Sequence, residues 1–435
     1  MSLDTTRPLR PSRSSRKSAA SLGLLWVHPH YPFRFDPLEG GRELTIGRDE
    51  QCDIALEAPQ LSRRHATLRR SAESWVLSDL NSTNGTHCNA RRVSQVTLEQ
   101  GQVLRLGSAV GLVVRSSQPP TLDEVAPGIM GGPVMARALR GIERAAQSDL
   151  HAIVQGPSGT GKERVARAIH ALSSRTGAFV AVNCAAIPAQ LAESELFGHA
   201  VGAFTGATKS KPGHFLEAAA GTLFLDEVNE LSLELQAKLL RVIEERSVVP
   251  VGRSHPLAVN TRIVVASQAK LADLVREGTF REDLFARLDG FSVALPPLSE
   301  RREEVPHLLR FFLDRFFGGR IPALDPEFVE LSCLYSWPLN VRELETFSKR
   351  LAVLHGDRHL LTADQLPENV RDPNAEITSE GQPLTAELLH RTLAACDGNV
   401  ARASQQLGIS RQRIYRIIAD SPELDLGHFR GKADP

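Results

Sequence analysis

The string Gly156-Pro157-Ser158-Gly159-Thr160-Gly161-Lys162-Glu163 has the composition of a loop that wraps phosphate. Backbone N–H groups approach phosphate oxygens closely where no Cβ intervenes, and a helix starting directly after the loop adds partial positive charge. Lys162 then reaches the outer phosphates. Pro157 lacks an N–H but falls early, before the segment expected to wrap the ligand. Glu163 stands where the generic pattern has Ser or Thr to bind Mg²⁺. Further on, Leu223-Phe224-Leu225-Asp226-Glu227 is an apolar run ending in two carboxylates. A buried strand has no structural need of adjacent acids at its C-terminal end, where the ligands of α/β sheets sit. Asp226 is suited to hold Mg²⁺, directly or through water, and Glu227 to polarise an attacking water as general base. Loop and acid pair together predict an ATPase.

Such groups need a parallel sheet beneath them. Four apolar runs alternate with helical stretches: Ala152 to Gln155, Phe179 to Val182, Thr222 to Leu225 and Arg262 to Ala266. Buried runs separated by helices predict an α/β domain over 128–298, and from Leu298 onward the pattern turns purely helical, a lid over 299–370. Before it, residues 23–115 alternate short apolar runs with Gly/Asn/Ser turns, an all-β pattern. Linkers are expected at 116–127, with Pro119-Pro120, and at 371–383. A helical unit spans 384–425. Residues 1–22 read as a disordered tail, with Arg7, Arg10, Arg13, Arg16 and Lys17 among serines. A solvated tail and a DNA-touching arm are both compatible with that composition. The 435 residues suit two to four domains. Lys+Arg and Asp+Glu are both 51, so a nucleic-acid surface has to be a local patch. Five scattered cysteines without Cys-x-x-Cys spacing point to a reducing compartment, the cytoplasm, and the chain has no apolar run long enough for a membrane span.

The central region resembles the AAA+ domain of sigma-54-dependent bacterial transcription activators, in which Glu follows the phosphate-loop Lys, as Glu163 does here. Gly202-Ala203-Phe204-Thr205-Gly206-Ala207 matches the family's GAFTGA loop in full. The resemblance implies that this loop contacts sigma-54 and transmits the stroke of ATP hydrolysis. Glu195-Leu-Phe-Gly-His199 precedes it as in the family. Asn183 matches the asparagine that couples nucleotide state to the glutamate Glu227. Phe280 to Leu288 matches the arginine-finger segment, so Arg281 and Arg287 are implied to reach a neighbouring subunit's γ-phosphate. Trp337-Pro-Leu-Asn-Val-Arg342 matches the sensor II motif and places Arg342 on the nucleotide. The chain departs from the family at Gln268 (usually Asn, in sensor I), Leu339 (usually Gly), Leu216 (usually Glu) and Ala220 (usually Gly). These departures bear on rate and on coupling to the loop.

At the C-terminus, a helix over Leu384 to Cys396, a second over Gly398 to Leu407, a Gly408-Ile409 turn and Ser410 as N-cap of a third resemble the Fis-type helix-turn-helix. Ala403 and Leu407 should face Ile414 and Ile417 or Ile418. Ser410, Arg411, Arg413 and Arg416 lie on the polar side of the third helix, placed for the major groove of double-stranded DNA. Their targets, phosphates or guanine edges, stay open. Paired domains imply inverted-repeat sites.

At the N-terminal side, Leu44-Thr-Ile-Gly-Arg48, Leu61-Ser-Arg-Arg-His65 and Asp79 to Thr86 resemble a forkhead-associated (FHA) domain, a β-sandwich that reads phosphothreonine. Arg48 supplies a charged fork and Ser62 a hydroxyl, while Arg63 and Asn84 match peptide- or phosphate-binding positions flanked by Thr83. His65 and Gly47 read as structural, and Gly85 permits a tight turn. The alternative is an FHA fold kept for subunit packing. The domain occupies the place of the receiver or small-molecule sensor of other members, so a Ser/Thr kinase or its phosphorylated product is the expected input.

The leading expectation is a cytoplasmic, multidomain sigma-54 activator that hydrolyses ATP with Mg²⁺ as a homo-oligomer, dimer to hexameric ring, and remodels sigma-54 RNA polymerase. The runner-up is a phosphopeptide-responsive DNA-binding regulator whose ATPase is impaired.

Overall fold

The computed structural model describes residues 21–27, 33–40, 43–71, 74–116, 118–204, 207–371, 376–377, 383–384, 386–396, 398–407 and 414. The chain divides into two compact units, 1–120 and 121–435.

The first unit is a β-sandwich. Its strands are β1 (Ser21–Val27), β2 (Arg34–Pro37), β3 (Leu44–Gly47), β4 (Ile54–Ala55), β5 (Ala66–Ser71), β6 (Ser74–Asp79), β7 (Thr86–Cys88), β8 (Arg91–Val93), β9 (Gln95–Leu98), β10 (Val103–Leu106) and β11 (Ala109–Ser116). One sheet has the order β2-β1-β11-β10-β7-β8 and the other β4-β3-β5-β6-β9. Alternation along the strands sends Leu24, Trp26, Ile46, Leu68, Leu77, Leu104, Leu106 and Val113 into one shared core. The β3–β4, β5 and β6–β7 approaches are tied at one end: Arg48 N–H donates to the Ser62 carbonyl and Leu80 N–H to the His65 carbonyl.

The second unit opens with a hairpin, β12 (Asp123–Ala126) and β13 (Ile129–Gly131), then helices α1 (Pro133–Ala138) and α2 (Ile142–Ala146). Its sheet is parallel throughout, in the order β15-β16-β19-β14-β20, from β14 (Ala152–Gln155), β15 (Phe179–Asn183), β16 (Thr222–Asp226), β19 (Arg262–Ser267) and β20 (Phe291–Ala294). A two-residue pair, β17 (Ser247–Val248) with β18 (Leu257–Ala258), lies between β16 and β19 in sequence. Four of the five sheet strands coincide with the four apolar runs of the sequence. The fifth, β20, is short and only partly buried, with the pattern intermediate, exposed, buried, exposed, so no apolar run announces it.

Both faces of this sheet are covered. Ile153, Leu223, Leu225, Ile263 and Val265 join one core, while Ala152, Val154, Phe224, Val264 and Ala266 join the other. That is why β14, β16 and β19 are continuous apolar runs, while β15, at the sheet edge, is only partly buried. The helices of the α/β part are α3 (Lys162–Ala171), α4 (Ala189–Phe197), α5 (His214–Glu217), α6 (Leu233–Glu245), α7 (Leu271–Arg276) and α8 (Glu282–Leu288). The lid holds α9 (Val305–Phe316), α10 (Pro326–Leu334), α11 (Asn340–His355) and α12 (Glu368–Arg371). It is not purely helical: β21 (Ala323–Leu324) pairs in parallel with β22 (Leu360–Leu361), runs too short to read from sequence. Toward the C-terminus, β23 (Glu376–Ile377) pairs with β24 (Pro383–Leu384), and α13 (Ala386–Ala395) and α14 (Val400–Leu407) follow. Leu389, Leu393, Cys396, Val400, Ala403, Leu407 and Ile414 form their core, which gives Ala403 and Leu407 the expected contact with Ile414. Ser410, Arg411, Arg413 and Arg416 lie outside the described residues. No helix among the described residues is long and apolar enough to cross a membrane.

Candidate functional site

At the C-terminal end of β14 the chain turns through Gly156 (φ 150°), Gly159 (φ 75°) and Gly161 (φ 106°) before Lys162 opens α3. A side chain at Gly159 is excluded on two grounds: the positive φ, and the Leu339 carbonyl oxygen 1.9 Å from where its Cβ would stand. The Thr160 hydroxyl donates to the Pro157 carbonyl at 2.8 Å and closes the turn. Lys162 is 7% exposed, an unusual burial for an ammonium group. It donates to the Gly156 carbonyl at 2.9 Å and lies 3.5 Å from a Glu227 oxygen.

Glu227 sits at the end of β16 with a left-handed backbone, φ 51° and ψ 51°. That conformation strains a non-glycine residue, and such strain collects at functional positions. Its N–H donates to Asp226 Oδ1 at 3.1 Å, and its Oε1 accepts from Gln268 Nε2 at 3.0 Å. Gln268, one methylene longer than the usual asparagine, therefore reaches the carboxylate directly. Burial pushes the Asp226 carboxyl above its ordinary range and Glu227 adds to the effect, while Lys162 opposes it. A half-buried carboxylate with its charge so disfavoured gains from a cation beside it, so Asp226 and the glycine cradle fit a Mg²⁺-bound nucleotide polyphosphate.

The other expected residues divide. Arg342 Nη1 donates to Ser158 Oγ at 3.1 Å, bringing the lid onto the loop. Glu163 is held by Arg167 at 2.6 Å on the outer face of α3, though near enough to Asp226 to raise its pKa further. Asn183 is level with Asp226 across the sheet, but its Oδ1 accepts from Ala185 N–H at 3.0 Å. Among the described residues it makes no hydrogen bond to Glu227; Gln268 and Lys162 occupy that carboxylate. Arg281 is held by both oxygens of Asp283, at 3.0 and 2.7 Å, and Arg287 by Glu244 at 3.0 Å, so within one chain both are engaged away from the loop.

Asn340 joins the site without having been expected there. Its side chain accepts from Leu298 N–H at 2.7 Å and donates to the Ser158 carbonyl at 2.9 Å, pinning lid to loop. Its place inside the sensor II motif is the one signal of this in the sequence. Two of the departures from the family also find a structural reason. Leu339 has φ −96°, so no glycine is required there; the positive φ values fall on Trp337 and Asn340 instead. Leu216 packs on the sheet core, an apolar role.

The Gly202–Ala207 loop is fastened at its base. Gly202 N–H donates to the Ala207 carbonyl at 2.8 Å, and Ala200 N–H to that of Val251 at 2.9 Å. The His199 ring stands edge-on to Phe204 at 5.0 Å, and Lys211 pairs with Glu195 below. Phe204 is 39% exposed; Thr205 and Gly206 lie outside the described residues.

In the sandwich, Arg48, Arg63, Thr83 and Asn84 are exposed on one rim, with Ser62 half-buried between them. Thr83 N–H donates to Ser62 Oγ at 3.1 Å, and Asn84 Nδ2 to the Gln60 carbonyl at 2.7 Å. His65 is fully buried beneath: Nδ1 accepts from Ser62 N–H at 3.2 Å, which leaves Nε2 to donate to the Gly85 carbonyl at 3.2 Å. Burial holds its pKa down, so the ring is a neutral brace. Asp79, to which the motif it opens, Asp79 to Thr86, assigns no role of its own, accepts from Ser82 and Thr86 and fixes the β6–β7 turn.

A glycine loop and an acid-ended strand side by side in a parallel sheet, capped by a helical lid, define a P-loop ATPase fold of the AAA+ class. Family models match the chain in order: the FHA domain over 44–107, the Sigma-54 interaction domain over 129–294, the AAA+ ATPase lid domain over 299–383, and the bacterial regulatory protein, Fis family, over 385–418. The DNA-binding transcriptional regulator NtrC of Azospirillum brasilense is 38% identical over 372 residues, 75% of this chain and 77% of that protein. The regulatory protein AtoC of Escherichia coli is 39% identical, covering 66% of each. The crystal structure of NtrX from Brucella abortus matches with TM-score 0.51 and 34% identity over 69% of each chain, and NtrX has also been solved with ATP and with ADP. The chain belongs to the family of sigma-54-dependent transcriptional regulators.

Proposed function

We propose that this protein hydrolyses ATP in an oligomeric ring to remodel sigma-54 RNA polymerase at promoters, under control of phosphothreonine recognition by its FHA domain. The observation that carries the ATPase reading is the convergence on one spot of Lys162, Glu227, Gln268 and, through Ser158, Arg342. In this reading Gly156, Ser158, Gly159, Thr160, Gly161 and Lys162 cradle the phosphates and Asp226 holds Mg²⁺, which when bound neutralises phosphate charge. Glu227 takes a proton from the attacking water, Gln268 orients that carboxylate, and Arg281 and Arg287 leave their own carboxylates to complete a neighbour's site. Gly202 to Ala207 would then meet sigma-54, and Arg411, Arg413 and Arg416 with Ser410 would anchor the chain on inverted-repeat DNA in the cytoplasm. Arg48, Ser62, Arg63 and Asn84 would receive the phosphothreonine.

The test is ATP turnover by the full chain with Glu227→Gln as control, followed by open-complex formation with sigma-54 polymerase. Wild type should turn over ATP, and Glu227→Gln should bind nucleotide but lose at least about 100-fold in rate. Thr205→Ala should keep turnover and lose open complexes. Open complexes formed equally well by Thr205→Ala would overturn the sigma-54 reading.

A further inference from the structure

A cavity of about 80 Å³ opens at the N-terminal end of the parallel sheet, lined in part by Asp149, His151, Arg175, Arg246, Asn260 and Thr261. His151 precedes β14, Asn260 and Thr261 lead into β19, Arg175 lies between α3 and β15, and Arg246 caps the end of α6. The nucleotide loop leaves the other end of β14, a strand of four residues and so about 13 Å long. The cavity is therefore separate from the site already described. Its volume holds about five to eight waters, the room a tetrahedral oxyanion takes.

Most of its acceptors are already engaged. Arg175 Nη1 donates to the Gly221 carbonyl at 3.4 Å and to both oxygens of Asn260 at 3.1 and 3.3 Å. Its Nη2 donates to Asp149 Oδ1 at 2.8 Å. Donors are left over. His151 Nδ1 accepts from Ile263 N–H at 3.1 Å, so the neutral ring carries its proton on Nε2. That N–H, the Asn260 amide nitrogen and the Arg246 guanidinium make no hydrogen bond or ion pair among the described residues. Arg246 also sits in a left-handed turn, φ 50° and ψ 37°. Glycine or asparagine would hold that turn with less strain, and strain of this kind collects at functional positions.

Charge points the same way. Fully buried Arg262 donates to the Ala146 and Ala145 carbonyls at 2.7 and 2.8 Å, and its charge reaches His151 together with those of Arg175 and Arg246. Among the described lining residues Asp149 is the one carboxylate, and its side chain is 84% exposed. Three guanidinium groups against one solvated carboxylate leave an excess of two positive charges. Chloride or a monocarboxylate would balance half of it; monohydrogen phosphate balances all of it. The C-terminal end of α6 opposes an anion, but that effect is confined to its last turn and is outweighed by three full charges.

We propose that this cavity binds inorganic phosphate as its dianion, with Arg246, the His151 Nε2–H and the Asn260 amide donating to its oxygens. Bound there, phosphate ties the ends of α3 and α6 to the start of the sheet, away from the nucleotide loop.

The experiment is equilibrium dialysis of radiolabelled inorganic phosphate against the full chain carrying Lys162→Ala, so that the nucleotide loop does not compete for the anion. Ionic strength is held constant with chloride. One phosphate per chain should bind. Adding Arg246→Asn, which suits the left-handed turn, should weaken binding by about 10- to 100-fold, the loss of a charge-assisted hydrogen bond. Adding Asn260→Asp, which still offers Arg175 an acceptor, should abolish binding by placing a carboxylate in the cavity. Phosphate should also raise the thermal midpoint of the Lys162→Ala chain and not that of either double variant. Circular dichroism checks that the variants fold, and if Asn260→Asp does not, Arg246→Asn decides alone. No binding to the Lys162→Ala chain at millimolar phosphate would overturn the proposal, as would binding that both added substitutions leave unchanged. Phosphoserine held at least about tenfold more tightly than phosphate would overturn the free anion in favour of a phosphorylated side chain.

Discussion

The Gln268–Glu227 hydrogen bond gives a departure from the family a defined place in the candidate site. An amide at 3.0 Å fixes one oxygen of the carboxylate and leaves the other for water. Gln268→Ala should lower kcat by about 10- to 100-fold with KM changed little, because it removes orientation rather than binding. Single-turnover kinetics separate the two. A KM effect alone would assign Gln268 to nucleotide binding. At this scale the types of the candidate catalytic residues are legible in the sequence, since a buried strand seldom ends in an acid pair unless a ligand waits there. Their partners are not legible. The motif puts Asn183 at Glu227, yet it caps its own turn at Ala185; a side chain's choice between a local backbone donor and a distant carboxylate is made by geometry, not by motif. Arg281 and Arg287 read as free fingers but rest on Asp283 and Glu244, and exposed pairs of this kind are weak enough to exchange.

Among the elements, the lead-in to β16 carries a measurable strain. Ala220 has φ 57°, where the family usually has glycine. Ala220→Gly should raise stability by about 0.5–1 kcal/mol, relief of left-handed strain being partly offset by the freer unfolded chain. Denaturant titration checks it, and a destabilised variant would show that the methyl makes a compensating contact. The start of β14 holds a second test. Burial lowers His151 to a pKa of about 4, helped by the guanidinium groups of Arg262 and Arg175, and its Nδ1 accepts from Ile263 N–H at 3.1 Å. A histidine whose folded pKa lies below its unfolded value takes up protons on unfolding. Its contribution is complete above about pH 6.5 and is lost as the pH falls toward 4. Between pH 7 and 5 wild type should lose about 2 kcal/mol more than His151→Asn, which keeps an acceptor without the titration. Equal losses in calorimetry would exclude it. The long strands here are legible because both sheet faces are buried. β20, β21 and β22 are not, because a strand with one buried residue, or only two residues, leaves no periodicity to find.

For the whole molecule, the proposed completion of each site by a neighbour's arginines would tie rate to assembly. Turnover per chain should rise with protein concentration and level off, and Arg287→Ala should flatten the rise. A constant rate per chain across the monomer-to-oligomer range, followed by light scattering, would contradict it. The order of FHA unit, ATPase, lid and helix-turn-helix unit is legible because periodicity separates the all-β, α/β and helical regions and a polar stretch at 371–383 divides the two helical ones. Beyond the sensor II motif, how lid and loop meet is not legible in the sequence, since that contact joins residues about 180 positions apart.

That meeting governs traffic as well as chemistry. A methyl group at Gly159 would collide with the Leu339 carbonyl, and Asn340 grips Ser158 beside it. In the proposed cycle, the loop would loosen around spent nucleotide only as the lid turn lets go with it. Product residence time would then be set by the lid, and a substitution well out along α11, far from any phosphate, would reset the protein's clock without altering a single reacting atom.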